Sequence, residues 1–340
     1  MRRPLASLIV AALALAGSAV AGADSTTSTT APGSSTTSTT PHKKVVPVAP
    51  LTGLADPTKA SYRRSALTIK IDNTPEAHPQ SGLQDADIVY EEIVEGQITR
   101  LAAVFNSRLP SLVGPIRSVR RTDREIVSSL GGIFACSGGA AYALASIATA
   151  RGVHFVDESS AGGAMFRSST RYAPHNLYAN AFKLMALGGT PRPPKPQFRY
   201  APAGAPALGR PVHAFSVGFA AGYATSYTWN TRTKSWDRSI FGAPDVTSTG
   251  QRLSPTNVVV LNVTYQGGAG VEGSEAILTG TGPAAVFSDG HLIRGTWRRA
   301  SRYRAMVLIA PTGKVIDLRA GQTWIELLDP YQSVSIVPGR

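Results

Sequence analysis

The chain has 340 residues, a formal net charge of +13, 43% hydrophobic residues and a single cysteine. That length and apolar share exclude a stapled miniprotein and a wholly disordered chain, and one cysteine excludes an intrachain disulfide even in an oxidising compartment. A protein this basic is drawn to anionic surfaces through a field that salt weakens.

Met1-Arg2-Arg3 is a basic start, an apolar run follows from Leu5 to Ala16, and Ala21-Gly22-Ala23 supplies the small residues that a signal peptidase accepts. Residues 1–23 are therefore expected to be a signal peptide cleaved before Asp24. The apolar run is shorter than the roughly 20 residues of a membrane span, and no later segment reaches that length. Loss of Arg2 and Arg3 leaves a mature charge of +11. The expected partners of such an exported chain are an anionic envelope polymer or an envelope protein, with no nucleic acid and no transmembrane span.

Residues 24–50 are rich in Ser, Thr and Pro and nearly repeat Ser25-Thr26-Thr27-Ser28-Thr29-Thr30 at Ser35-Thr36-Thr37-Ser38-Thr39-Thr40. Such a segment buries too little apolar area to offset its ordering entropy and reads as a disordered stalk spanning roughly 25–30 Å. Residues 188–211 carry Pro191, Pro193, Pro194, Pro196, Pro202 and Pro206, which disfavour helix and central strand, and read as a linker. The boundaries expected are thus an N-terminal domain over 51–187, a C-terminal domain over 212–330 and a tail over 331–340.

In the first domain, residues 67–72 alternate as a strand, and residues 88–94 and 97–105 read as a hairpin across Glu95-Gly96. A two-residue loop would set Glu91 opposite Arg100 and Glu92 opposite Thr99. Thr122 with Glu125 forms a capping-box pattern opening a helix that stops at Gly131. A short strand over 133–136, the turn Ser137-Gly138-Gly139, a helix over 140–149, a strand over 153–156 and a helix over 180–187 complete a mixed α/β layer. The second domain reads as mostly antiparallel sheet: strands over 226–229, 234–238 and 258–263, a hairpin of 285–288 with 291–297 across Asp289-Gly290, another of 306–309 with 314–318, and a closing strand over 323–328. The fold class expected is α+β.

Pro50-Leu51-Thr52-Gly53, Ile71-Asp72-Asn73, Pro79-Gln80-Ser81-Gly82-Leu83, Ala86-Asp87-Ile88-Val89-Tyr90-Glu91, Val94-Glu95-Gly96 and Thr99-Arg100 open a series of motifs. The series continues in Gly114-Pro115-Ile116-Arg117-Ser118-Val119-Arg120, Ser137-Gly138-Gly139, Ala173-Pro174-His175-Asn176-Leu177-Tyr178, Gly295-Thr296-Trp297 and Gly321-Gln322-Thr323-Trp324-Ile325. In this order, from Leu51 to Leu328, they resemble the YerB-like family of exported bacterial proteins, whose activity is unknown. The resemblance implies an N-terminal and a C-terminal family domain, a lipidated cysteine in most members, and no catalytic residue to carry over. This chain departs from it twice. No cysteine follows the signal peptide, so a lipid anchor is not expected, and Cys136 stands where relatives carry histidine.

The candidate ligand-binding residues are Asp72, Glu91, Arg100, Arg117, Ser118, Arg120, Ser137, Gly138, Gly139, His175 and Asn176. Arginine forks suit carboxylate or phosphate, and the Ser-Gly-Gly turn before a helix offers backbone N–H groups to an anion. Equally, the arginines could pair internally with Glu91, Glu92 and Glu95, and the glycines could serve a tight turn alone. Neighbouring Glu91 and Glu92 point to opposite faces of a strand and cannot form an acid–base pair. No metal-ligand spacing accompanies His175, and no cofactor is expected. Two readings of function stand: an envelope binding or scaffolding protein that recognises an anionic component, and an envelope hydrolase or transferase using His175, Asp72 and Glu91 with an arginine anion pocket.

Overall fold

Leu67–Asp72 alternates leucine and isoleucine with threonine, lysine and aspartate, and forms the first strand, β1. The computed structural model describes residues 46–220 and 222–339; the expected signal peptide and most of the expected stalk lie outside the described residues. After β1 come β2 (Ile88–Ile93), β3 (Thr99–Phe105), α1 (Arg121–Val127), β4 (Gly132–Ala135), α2 (Ala141–Ile147), β5 (Val153–Val156), β6 (Met165–Arg167), β7 (Leu177–Ala179) and α3 (Ala181–Ala186). The second half adds β8 (Arg210–Ala220), β9 (Tyr223–Asn230), β10 (Ser235–Ile240), β11 (Ala243–Pro244), β12 (Asn257–Asn262), β13 (Tyr265–Gln266) and β14 (Glu275–Ala276). It continues with β15 (Gly280–Ser288), β16 (His291–Arg299), β17 (Val307–Ile309), β18 (Thr323–Leu328) and β19 (Ser333–Pro338).

The strands in the order β11-β10-β9-β8-β16-β15-β12-β18-β2-β3-β1-β4-β5 build one mixed sheet, with β17 beside β16 and β19 beside β8. The described residues are mostly β with a few short helices. Residues 188–209 hold no helix or strand and touch both halves, through Arg192 N on Ser65 Oγ and a bridge of Tyr200 to Leu318.

Four features differ from the sequence reading. The β2–β3 connection is longer than two residues, because Gly96 and Gln97 both take positive φ (75° and 62°) and Val94 N closes on Ile98 O. The register moves with it: Glu92 lies opposite Arg100 and Glu91 opposite Leu101. Helix α1 starts two residues earlier than the Thr122–Glu125 pattern implies, with Arg120 as its N-cap and Asp123 Oδ2 accepting from Arg120 N at 2.6 Å. Thr122 and Glu125 instead bond the second half, at Ala276 N and Thr279 Oγ1. Residues 314–318 form no strand, only isolated bridges of Val315 to Ile309 and of Leu318 to Tyr200. Finally, β18 does not close an antiparallel series. It pairs in parallel with β12 on one side and β2 on the other, and all six of its residues are buried, as a strand covered on both faces requires.

Strand pairing sorts the side chains. Asp72, Arg100 and Glu92 stand in one row across β1, β3 and β2, while Ile71, Leu101 and Glu91 stand on the opposite face. On the Asp72 face, buried Lys70 donates to Asp123 of α1 at 2.9 Å and to Glu92. On the Glu91 face lies the second half's aromatic core, where Phe215 stacks on Phe287 and Tyr227 and meets Trp236 edge-on.

Several buried carboxyls set the pH response. Burial pushes Asp87 up to about 6 even though Asn106 N and Ser107 N donate to it at 2.6 and 2.8 Å, and burial likewise pushes Asp123 up to about 6 against Lys70. The folded state therefore holds protons that the unfolded chain releases, so this stabilisation is complete below the usual carboxylate range and is lost as pH rises through about 6. Asp245 responds in the opposite sense: burial raises it, but Arg238 and His78 outweigh burial and hold it low, so its contribution is lost as pH falls. The expected result is a higher melting temperature at about pH 5 than at about pH 7.5. Calorimetry at the two values checks it, and a rise across that interval would contradict it.

Candidate functional site

Asp72 ends β1 with its side chain fully buried, and three groups gather on its carboxylate. His175 Nδ1 lies 2.7 Å from Asp72 Oδ2, Arg117 Nε lies 3.1 Å from the same oxygen, and Thr74 N donates to Oδ1 at 3.2 Å. Thr74 Oγ1 also stands 3.3 Å from His175 Nδ1. Each element is brought there by backbone pairing. Asp72 N bonds Pro115 O and Arg117 N bonds Lys70 O, which lays the 115–117 segment along β1. The His175 loop is tied down by Arg171, whose two Nη atoms donate to Glu76 O and Pro79 O at 2.9 and 2.7 Å. Side chains 103 residues apart thereby meet.

Apart from Glu91, the other candidates fall into three groups. Arg120 donates to both oxygens of Glu95, its Nε at 2.6 Å, while Arg100 reaches Glu95 at 3.4 Å and Ser118 O at 3.4 Å. These two arginines take the internal ion-pair role. Burial, with Arg120 beside it, lowers Arg100 to about 10. Ser118 Oγ faces Ser137 Oγ at 3.4 Å. The Ser-Gly-Gly turn does not present the expected set of free N–H groups: Ser137 N is taken by Arg117 O, and Gly138 N faces Cys136 Sγ at 3.4 Å. That leaves only Gly139 of the three. Burial pushes the Cys136 thiol up to about 12, so it stays protonated. Asn176 turns away from Asp72 and accepts from Arg167 Nη1 at 2.7 Å, bracing its own loop.

Glu91 is separated from His175 and Asp72 by the sheet itself, so the three cannot act as one catalytic set. Its partners form a second, buried cluster that sequence reasoning missed. Arg238, fully buried on β10, donates to Glu91 at 2.7 Å and to Asp245, and lies 4.5 Å from the Trp324 ring centroid. Asn73 Nδ2 donates to Glu91 and Thr99 at 3.0 and 2.7 Å, and its Oδ1 meets Gln80 and His78. Tyr227 donates to Glu326, which stands beside Glu91 in register. Burial and the Glu91 carboxylate push Glu326 well above the usual carboxylate range, which favours its neutral form beside Glu91. The missed signal lay in β10, where Arg238 falls between Trp236 and Ile240 on the apolar face of an alternating strand.

The motifs that build both clusters have counterparts elsewhere. The family profiles described as "Protein of unknown function (DUF3048) N-terminal domain" and "Protein of unknown function (DUF3048) C-terminal domain" match residues 51–190 and 215–325. The chain belongs to this family. It is 26% identical to "Putative lipoprotein YerB" of Bacillus subtilis (strain 168) over 306 residues, covering 86% of this chain and 89% of the relative. The crystal structure of YerB protein from Bacillus subtilis is similar in fold and two-domain arrangement, with a TM-score of 0.74 at 24% identity, over 85% of this chain and 99% of that one. Among the described residues, no helix of this DUF3048 chain is long and apolar enough to cross a membrane.

Proposed function

We propose that this protein is an exported binding protein of the cell envelope that recognises an anionic component at the Asp72 face. The observation that carries this reading is the sharing of Asp72 Oδ2 by Arg117 Nε and His175 Nδ1. Among the described residues no partner meets the Arg117 Nη atoms or His175 Nε2. A buried carboxylate thus holds the imidazole at Nδ1 and the guanidinium by charge, and leaves the Arg117 Nη atoms and His175 Nε2 available to a ligand oxygen, a pre-formed arrangement for carboxylate or phosphate. The basic charge of the chain and the envelope association in its relative's name support the same reading. The α/β layering of the first half serves it by carrying Asp72 to a strand end, where such layers place ligands.

A ligand that binds only the folded state raises its melting temperature by mass action. Inorganic phosphate, a phosphate-rich wall polymer and an acidic glycan are each expected to be tested at low and high salt. At least one should raise the melting temperature, less so at high salt, and the rise should vanish in Arg117→Ala and His175→Ala. No shift with any of them, or an undiminished shift in both variants, would overturn the reading. A second reading rests on the 2.7 Å contact itself, because an aspartate holding Nδ1 leaves Nε2 to accept a proton, as a general base does. Turnover of the bound ligand that disappears in His175→Ala would favour it.

A further inference from the structure

Two cavities abut beside the linker, which lines one with Tyr200 and the other with Ala207. One, of 840 Å³, is lined by Leu54, Tyr200, Thr256 and Arg319; the other, of 790 Å³, by His213, Trp229 and His291; Lys234 and Asp289 belong to both. Each is of the size that holds a small ligand, and together they make an elongated trough.

The trough has an aromatic wall and an excess of positive charge. The half-buried indole of Trp229 is braced on Gly290, where a Cβ would come within 2.7 Å of Trp229 Nε1, so only glycine allows the ring to sit there. Lys234 sits in the β9–β10 turn with a φ of 54°, its N bonded to Asn230 O at 2.9 Å, and its ammonium has no acidic partner among the described residues. The one carboxylate in the shared wall, Asp289, is already met by Arg319 at 2.7 and 3.1 Å. His291 Nδ1 faces Asp289 O at 2.7 Å, which leaves Nε2 to a ligand. Strands β8 and β9 are paired on both sides, by β19 and β9 and by β8 and β10, so no open edge is offered along them to an extended peptide.

We propose that this trough binds an extended acidic saccharide chain, with Trp229 stacking on a pyranose ring and Lys234 meeting an acidic substituent. A ring face presents C–H groups to an aromatic, its hydroxyls suit scattered side-chain donors, and its carboxylate or phosphate complements the unpaired ammonium. The assignment does not depend on Arg117 or His175.

The test uses the purified protein with an oligogalacturonate, a neutral cello-oligosaccharide and an oligoglutamate peptide, read by tryptophan fluorescence and calorimetric titration. Oligogalacturonate is expected to bind more tightly than the neutral chain. Trp229→Ala should weaken both by about three- to tenfold. Lys234→Asn, which tolerates the left-handed backbone, should weaken only the acidic chain. Arg117→Ala should bind both as the wild type does. Unchanged melting temperatures would show that the variants remain folded. No saccharide binding, equal binding by wild type and Trp229→Ala, loss in Arg117→Ala, or displacement of the uronate chain by oligoglutamate with no neutral binding would each overturn the proposal.

Discussion

Arg238→Ala should cost about 3–5 kcal/mol of stability and lower the melting temperature by roughly five to eight degrees. The guanidinium is fully buried and, among the described residues, is the only cation that bonds both Glu91 and Asp245, themselves almost wholly excluded from water. Its removal takes the guanidinium from two buried carboxylates, leaving Glu91 with Asn73 and Thr99 and Asp245 with His78, and opens a cavity beside Trp324. Arg238→Lys should recover little, because one ammonium cannot span two carboxylates as a fork does. Glu326→Gln, only one strand away from Glu91, should change stability by less than about 1 kcal/mol, since the acid it replaces is already uncharged. Chemical denaturation of the three variants measures this order. An Arg238→Ala loss below that of Glu326→Gln would refute the account of the cluster.

A fragment of residues 51–190, the span of the N-terminal family profile, should not fold cooperatively by itself. Its strand β2 is flanked by β3 and by β18, and β18 begins at the end of the other profile, well outside the fragment. Without β18 the fragment exposes a long hydrophobic strand edge and uncovers Glu91 without Arg238. The expected result is a broad thermal transition with dye-binding apolar surface, converted to a sharp one on mixing with residues 191–339. A sharp melt of the isolated fragment would refute it.

Much of the local structure was legible in the sequence, because alternation and turn chemistry act over a few residues. β1 has the bounds that its alternation implies, and the β15–β16 hairpin turns at Asp289-Gly290, both with positive φ as a tight two-residue connection needs. Register was less legible: the dipeptide Glu95-Gly96 looks like a complete turn, and only the positive φ of Gln97 reveals the longer loop that moves Arg100 from Glu91 to Glu92. β8 was hidden by Pro211 and by small residues that blur its alternation. The direction of β18 carries no local signature, since a strand buried on both faces reads alike in parallel and antiparallel company. For the site, the sequence put Asp72, Arg117 and His175 in one group of motifs but could not separate them from Arg120, whose partner Glu95 lies 25 residues away. Nor could it show that Glu91 faces the other side of the sheet, because that depends on pairing between three strands.

The position of β18 also fixes an order of events. Val89 lies against Trp324, so the strand that completes the middle of the sheet emerges from the ribosome long after the strand it covers. Until then β2 must wait with one flank open while the β8–β16 segments appear. A chain released before residue 323 would carry most of both halves and still lack the strand that joins them. Vectorial synthesis thus makes the last stretch a proofreading step: early termination should leave a chaperone-bound or degraded product instead of a smaller working protein.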